Sequence, residues 1–251
     1  MLHRGRLISN QEFHMSRRVG HKVLGRAPWL RVAEIEYDDV RVKKGEDDKE
    51  VGEKTVRKWN LAERLHPSQP DDANLTSKRF DGVDVCAIIR TPSAPPEAQS
   101  MLVVISQYRA PVDRVCLEFP AGLIDGEEEP ELAALRELKE ETGYVGKVTS
   151  CSKAIPLAYE PGLTNSCFAL VSMEVDGELP ENKNPVPEQE EDEDIQVHLI
   201  PHGPSLLGEL TSLCKTLEAA SRAEKPVQCA IDGKLYTYAL GVQLASTTLK
   251  Q

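Results

Sequence analysis

The stretch Gly122–Tyr144, GLIDGEEEPELAALRELKEETGY, sets eight carboxylates against two basic side chains. Like charges at helical spacing repel, yet the segment carries helix signals. Pro130 suits a first helical position, where its missing N–H costs nothing, and Gly143 suits the residue just past the end. Ala133, Ala134, Leu135 and Leu138 supply an apolar side, so the pattern predicts a helix over Pro130–Thr142. On it Glu137 and Glu141 stack one turn apart, with Glu140 beside them. Arg136 reaches Glu140 at i,i+4, which leaves the other two carboxylates without an evident basic partner. Hard oxygen ligands at that spacing suit Mg²⁺, with Mn²⁺ as a substitute, and the ion would neutralise the repulsion. Gly122 would let the backbone pass close to it. A solvated acidic face explains the composition equally well, but not the order of the residues.

That order is specific. Gly122, Glu128, Arg136, Glu137, Leu138, Glu140, Glu141 and Gly143 spell G-x5-E-x7-R-E-L-x-E-E-x-G. The pattern resembles the signature of the Nudix hydrolase family, with Tyr144 at its final bulky apolar position. The resemblance implies an α/β (α+β) fold in which a mixed β-sheet is sandwiched between helices. It also implies hydrolysis of a nucleoside diphosphate linked to another moiety. The flanks QYRAPVDRVCLEFPAGLID and YEPGLTN, the C-terminal YTYAL and the N-terminal WNLAER are similar to the ADP-sugar pyrophosphatase branch, and to its ADP-ribose hydrolases in particular. The likeness runs over most of residues 28–245, patchy before Lys54 and weak over 91–99. Pro161 falls slightly further past Tyr144 than is usual in that branch, so the preceding loop is longer.

Carried over residue by residue, the resemblance makes Glu137 and Glu141 the principal metal ligands, with Glu140 as a further one and Arg136 as part of the catalytic box. Ala121 would lend a backbone carbonyl, for which a small side chain leaves room. Arg109 would contact phosphate, which a guanidinium can grip bidentately. Leu123 would touch the ligand beyond the metal. Trp59 would stack on adenine, Asn60 and Arg64 would contact substrate, and Trp29 would cover the base from a partner subunit, implying a homodimer with shared sites. The bland reading of either tryptophan is a core aromatic. Glu160 stands where the branch has an acidic substrate contact, one methylene longer than the usual Asp. The general base, or an added metal ligand, falls in PEQEEDEDIQV, where Glu193 is favoured and Glu191, Asp192 and Asp194 are the alternatives. The implied reaction is Mg²⁺-dependent cleavage of ADP-ribose or a related ADP-sugar to AMP and a sugar phosphate. The alternatives are a nucleotide-sensing module without turnover, or a Nudix hydrolase acting on NADH or capped RNA.

The rest of the chain bounds this reading. A net charge of -11 argues against a broad nucleic-acid surface, though not against a small phosphate ligand met through a cation. No apolar run is long enough for a membrane span. The six cysteines are scattered without metal-ligand spacing, which suggests reduced thiols and an intracellular protein, cytoplasmic or nuclear. Residues 1–28, Arg-rich and poor in acids, read as a basic tail or a transit peptide, and the second reading places the protein in the mitochondrion. Alternating patterns on either side of a charged turn predict a small antiparallel region over 29–75, which would form the dimer. Residues 76–251 are expected to hold the hydrolase domain. Further strands are expected around 83–90, 100–109, 115–123, 148–157, 166–175 and 195–201, with helices near 204–223 and at the C-terminus.

Overall fold

A computed structural model describes residues 16–44, 50–65, 80–95, 98–189, 193–220 and 228–248. The chain divides into two compact units. One comprises the described residues before position 78 together with Ala158–Ser166, and the other the remainder.

The first unit is a three-stranded antiparallel sheet in the order β1-β2-β3, built from β1 (Arg17–Arg26), β2 (Leu30–Lys44) and β3 (Glu50–Arg64). β1 occupies part of the expected basic tail. Its basic residues find acids across the sheet, with Arg17 opposite Asp38, while register shifts at Arg18/Gly20 and Val23/Gly25 let it follow β2. The charged turn between β2 and β3 falls on residues 45–49, outside the described ones. Glu63 is fully buried and accepts hydrogen bonds from Arg31 Nε at 2.7 Å and Arg18 Nη2 at 3.5 Å, with His21 Nε2 at 2.9 Å. Burial pushes its carboxyl up, but His21 and Arg31 outweigh that and hold it below the usual carboxylate range. The Ala158–Ser166 segment docks on β3: the Ala62 N–H donates to the Leu163 carbonyl at 2.8 Å, and Ala62 bridges Thr164.

The second unit is a mixed sheet between helices. Its strands are β4 (Gly82–Arg90), β5 (Met101–Arg109), β6 (Arg114–Glu118), β7 (Ala121–Leu123), β8 (Lys147–Cys151), β9 (Leu157–Ala158), β10 (Cys167–Asp176), β11 (Gln196–Pro201) and β12 (Cys229–Ile231). The helices are α1 (Pro130–Thr142), the single turn α2 (Pro180–Lys183), α3 (Leu206–Ala220) and α4 (Gly233–Thr248). The main path runs β12-β6-β5-β4-β10-β8, with β11 beside β5 and β7 beside β4. The β4–β10 and β6–β12 pairs are parallel and the β4–β5, β4–β7, β5–β6, β5–β11 and β8–β10 pairs antiparallel, which gives the mixed sheet that the sequence pointed to.

Two cores follow from strand alternation. Val83, Val85, Ala87 and Val103 face one side and pack with Ala133, Ala134 and Leu138 of α1. Cys86, Leu102 and Val104 face the other and pack with Leu206 and Leu210 of α3 and with Leu235 and Ala239 of α4. The strand expected over 148–157 stops at Cys151 before resuming as β9, and the acidic loop after β10 begins with α2. In α2, buried Asn182 bonds both the N–H (2.8 Å) and the carbonyl (2.9 Å) of Val145 and ties down the chain after α1. All six cysteines are free thiols. Among the described residues no helix is long and apolar enough to cross a membrane.

Candidate active site

Helix α1 covers the predicted span. Pro130 opens it, and Gly143 closes it at φ +74°, where a Cβ would lie 2.4 Å from the Val186 backbone nitrogen. The acid-rich turn before it is laced to the helix by one side chain. Arg136 donates to Glu128 at 3.0 Å, Glu137 at 2.7 Å, Glu140 at 2.9 Å and the Leu123 carbonyl at 2.9 Å. The expected Arg136–Glu140 pair is thus present, but Glu137 is not without a cation. Spacing arithmetic considered i,i+4 partners, whereas the long guanidinium also reaches its sequence neighbour. Burial works against the Arg136 charge, and the surrounding acids outweigh it.

Glu137 and Glu141 both point at β7. A Cβ on Gly122 would sit 1.9 Å from Glu137 Oε1, so only glycine leaves room for that carboxylate. Glu141 Oε2 accepts the Ala121 N–H at 2.9 Å. These contacts leave Oε2 of Glu137 and Oε1 of Glu141 without a hydrogen-bond partner among the described residues. Burial pushes Glu137 up to about 7, against the pull of Arg136 and with Glu140 and Glu193 adding to the rise. Burial pushes Glu141 up to about 9, with the Ala121 N–H opposing and the charges of Glu137 and Glu193 reinforcing. Buried carboxylates that the protein undercompensates are the donor set a hard divalent cation fits, and its binding would displace their protons. Among the described residues no three His, Cys, Asp or Glu side chains are drawn close enough together to hold an ion as they stand. The additional oxygens would come from Glu140, Glu193, the Ala121 carbonyl or water.

The chain after α2 brings Glu193 to this pair. The Glu188 N–H donates to the Glu140 carbonyl at 2.8 Å, and Lys139 pairs with Glu188 at 2.9 Å. The Gln189 amide donates to the Ile195 carbonyl at 2.9 Å and accepts the Ile195 N–H at 3.2 Å, closing the loop on itself beside the end of α1. Asp194 instead lines a cavity of about 270 Å³ with Ser106, Gln196 and Glu218. Glu191 and Asp192 lie outside the described residues. Sequence reading missed Gln189, whose role depends on two backbone groups brought near it by folding.

Arg109 is gathered into this unit, but not as an unengaged phosphate ligand. Its Nε and Nη2 grip Glu118 at 2.8 and 2.7 Å. Glu118 stood in the quoted flank and passed there as a strand residue. Leu123 lies at the end of β7 with its side chain exposed.

The remaining candidates belong to the three-stranded unit. Trp59 is half exposed, and its indole N–H donates to the Gly162 carbonyl at 3.0 Å, in the turn that also carries Glu160. Trp29 is 68% exposed, so neither tryptophan is a core residue of this chain. The β2–β3 register runs without a shift from Ile35↔Trp59 through Glu34↔Asn60 to Leu30↔Arg64. Alternation therefore sets Asn60 and Arg64 on the face opposite Trp59, because a spacing of five reverses the side of a strand.

The NUDIX domain family matches residues 81–202. The chain is 38% identical to the ADP-ribose pyrophosphatase of Saccharomyces cerevisiae over 67% of its own length, and it spans 62% of that protein. It is 35% identical to an uncharacterized Nudix hydrolase of Schizosaccharomyces pombe over 86% of both chains. It is 34% identical to the ADP-sugar pyrophosphatase of Mus musculus over 70% of its length and 75% of that protein's. A box whose residues hold two buried carboxylates against a strand, in a chain this similar to such relatives, places it: the chain belongs to the Nudix hydrolase family.

Proposed function

We propose that this chain hydrolyses the diphosphate bond of ADP-ribose or a related ADP-sugar, giving AMP and a sugar phosphate, with Mg²⁺ as the metal. The observation that carries the reading is the buried Glu137–Glu141 pair, one helical turn apart, kept partly protonated by burial and mutual repulsion. The names of the yeast and mouse relatives support the substrate class. When bound on Glu137, Glu141 and the Ala121 carbonyl, a divalent ion supplies charge neutralisation at the phosphates and a more acidic water. Arg109 orients the diphosphate and offsets its charge. Glu193, beside the pair, accepts the proton of the attacking water. Trp59, exposed and held by Gly162, offers a face for the adenine. Glu160, in the turn that holds Trp59, contributes a polar contact to that substrate, whereas Asn60 and Arg64, on the other face of β3, would contact substrate only from there.

The functional unit in this reading is a homodimer. Leu30, Val32 and Val56 are exposed on one face of the three-stranded sheet and Val23 on the other, apolar side chains that a second copy would cover. Trp29 then serves the partner's site. The free cysteines fit a cytoplasmic or nuclear location. Nucleotide products separated by chromatography after incubation with ADP-ribose, ADP-glucose, NADH or a capped oligonucleotide, with and without Mg²⁺, test the reading. Mg²⁺-dependent turnover of ADP-ribose is expected to lead. Binding without turnover would replace the enzyme with a sensor.

A further inference from the structure

We infer that Glu118 is a positioning residue: it holds the Arg109 guanidinium away from the metal-binding carboxylates and fixes it for the substrate. The inference rests on the diphosphatase reading above. In the antiparallel β5–β6 pair, Arg109 stands opposite Arg114, and Glu118 stands opposite Ile105. The two residues thus lie at opposite ends of the ladder. Their two-pronged contact at 2.8 and 2.7 Å requires the arginine side chain to fold back along its own strand. A fork on a carboxylate fixes the plane of a guanidinium as well as its place.

Stability does not call for this contact, because the backbone ladder already joins the strands from Ile105↔Glu118 to Arg109↔Arg114. The need lies next door. Glu141 is close enough for its charge and that of Arg109 to act on one another. Glu141 is buried, and one of its oxygens has no hydrogen-bond partner among the described residues. A buried carboxyl so placed gains from a cation that can reach it and displace its proton, and Arg109 already acts on it in that sense. With Glu118 removed, that cation is Arg109, which would dock on Glu141 and compete there with a divalent ion. Glu118 therefore keeps a phosphate-binding cation beside a metal-binding anion without letting the two cancel.

The test is Mn²⁺ binding to the metal-free full chain, by titration calorimetry, in the wild type, Glu118→Gln, Arg109→Ala and the double variant. kcat and KM for ADP-ribose are measured alongside. Glu118→Gln is expected to weaken Mn²⁺ binding about tenfold, as befits a contacting pair, and to raise KM more than it lowers kcat. In the Arg109→Ala background the same change removes only a charge acting through space, and the expected loss shrinks to about twofold or less. Glu118→Asp, which keeps the charge but shortens the reach, falls between wild type and Glu118→Gln, and it carries the comparison if the Gln variant does not fold. Unchanged Mn²⁺ binding in Glu118→Gln, or an equal loss with and without Arg109, overturns the inference. A wild type that binds Mn²⁺ but leaves ADP-ribose intact overturns the diphosphatase reading alone, and one that binds no Mn²⁺ overturns both.

Discussion

Glu63 and Glu141 are both buried glutamates, and the protein treats them in opposite ways. Glu63 sits on the three-stranded sheet with Arg31, His21 and Arg18 around it, and its proton affinity is lowered. Glu141 sits on α1 with one backbone N–H and two acidic neighbours, and its proton affinity is raised to about 9. The first carboxylate is compensated and holds the sheet together. The second is a carboxyl whose charge the chain does not compensate and burial keeps protonated, which is how a ligand site differs from a structural ion pair.

The sharpest way to break this contrast is to remove Glu63. Glu63→Ala strands Arg31, itself buried, without its 2.7 Å partner. The expected loss is about 3–5 kcal/mol of stability, read as a fall in the urea midpoint. A midpoint within experimental scatter of wild type would mean that the cluster is not structural. Next comes Glu137→Gln, expected to lower ADP-ribose turnover by about a hundredfold or more while circular dichroism and melting stay native-like. Near-normal turnover with unchanged metal dependence would remove the carboxylate pair from the chemistry.

A subtler comparison uses pH on metal-free protein. Glu137 and Glu141 start from 4.5 unfolded and rise to about 7 and about 9 when folded. The folded state therefore binds more protons than the unfolded one between those values, and stability falls as pH rises through the window. Between pH 7 and 8.5 Glu137 has largely ionised and Glu141 carries the carboxyl part of the slope, to which the thiols of Cys86, Cys116 and Cys229, whose ionisation burial opposes, add toward the upper end. His198 and His202, whose proton affinities burial lowers, are neutral there and contribute nothing. Glu63 behaves oppositely: its contribution is complete above 4.5 and is lost only in acid. Melting temperature should fall from pH 7 to 8.5 without metal and hold steady with excess Mg²⁺. An equally steep fall in Glu141→Gln would assign the slope elsewhere. The smallest expected effect is a gain. At pH 8 without metal, Glu141→Gln removes a carboxyl that must take up a proton on folding, and it should raise the melting temperature by about 2–4 °C, the shift expected from ~1 kcal/mol in a chain of this size.

The features read correctly from sequence are those whose causes are local. Pro130 and Gly143 bracket α1 because one lacks an N–H that the first turn does not use and the other adopts a positive φ. The box order placed Glu137 and Glu141 on one face for the same reason, since helical spacing is a property of the chain alone. Strand β12 escaped notice because three residues carry too little periodicity to register, and the strand expected over 115–123 divides at Phe119–Pro120 into β6 and β7. β1 was hidden by its charge, which suggested a tail until Asp38 and Glu63 appeared beside it. The family resemblance grouped Trp59 with Arg64, and the strand turns them to opposite faces.

The sequence by itself determined the helix, the carboxylate ladder on it and the family to which both belong, because each depends on residues within a few positions of one another. Tertiary structure alone decided which charges are answered. Arg109 is held by Glu118 across two strands, the Glu193 loop is closed by Gln189, and Glu63 meets cations more than thirty positions away. Compensation of a buried charge depends on distances of a few ångströms between residues remote in the chain, and those distances are set only when the strands pair.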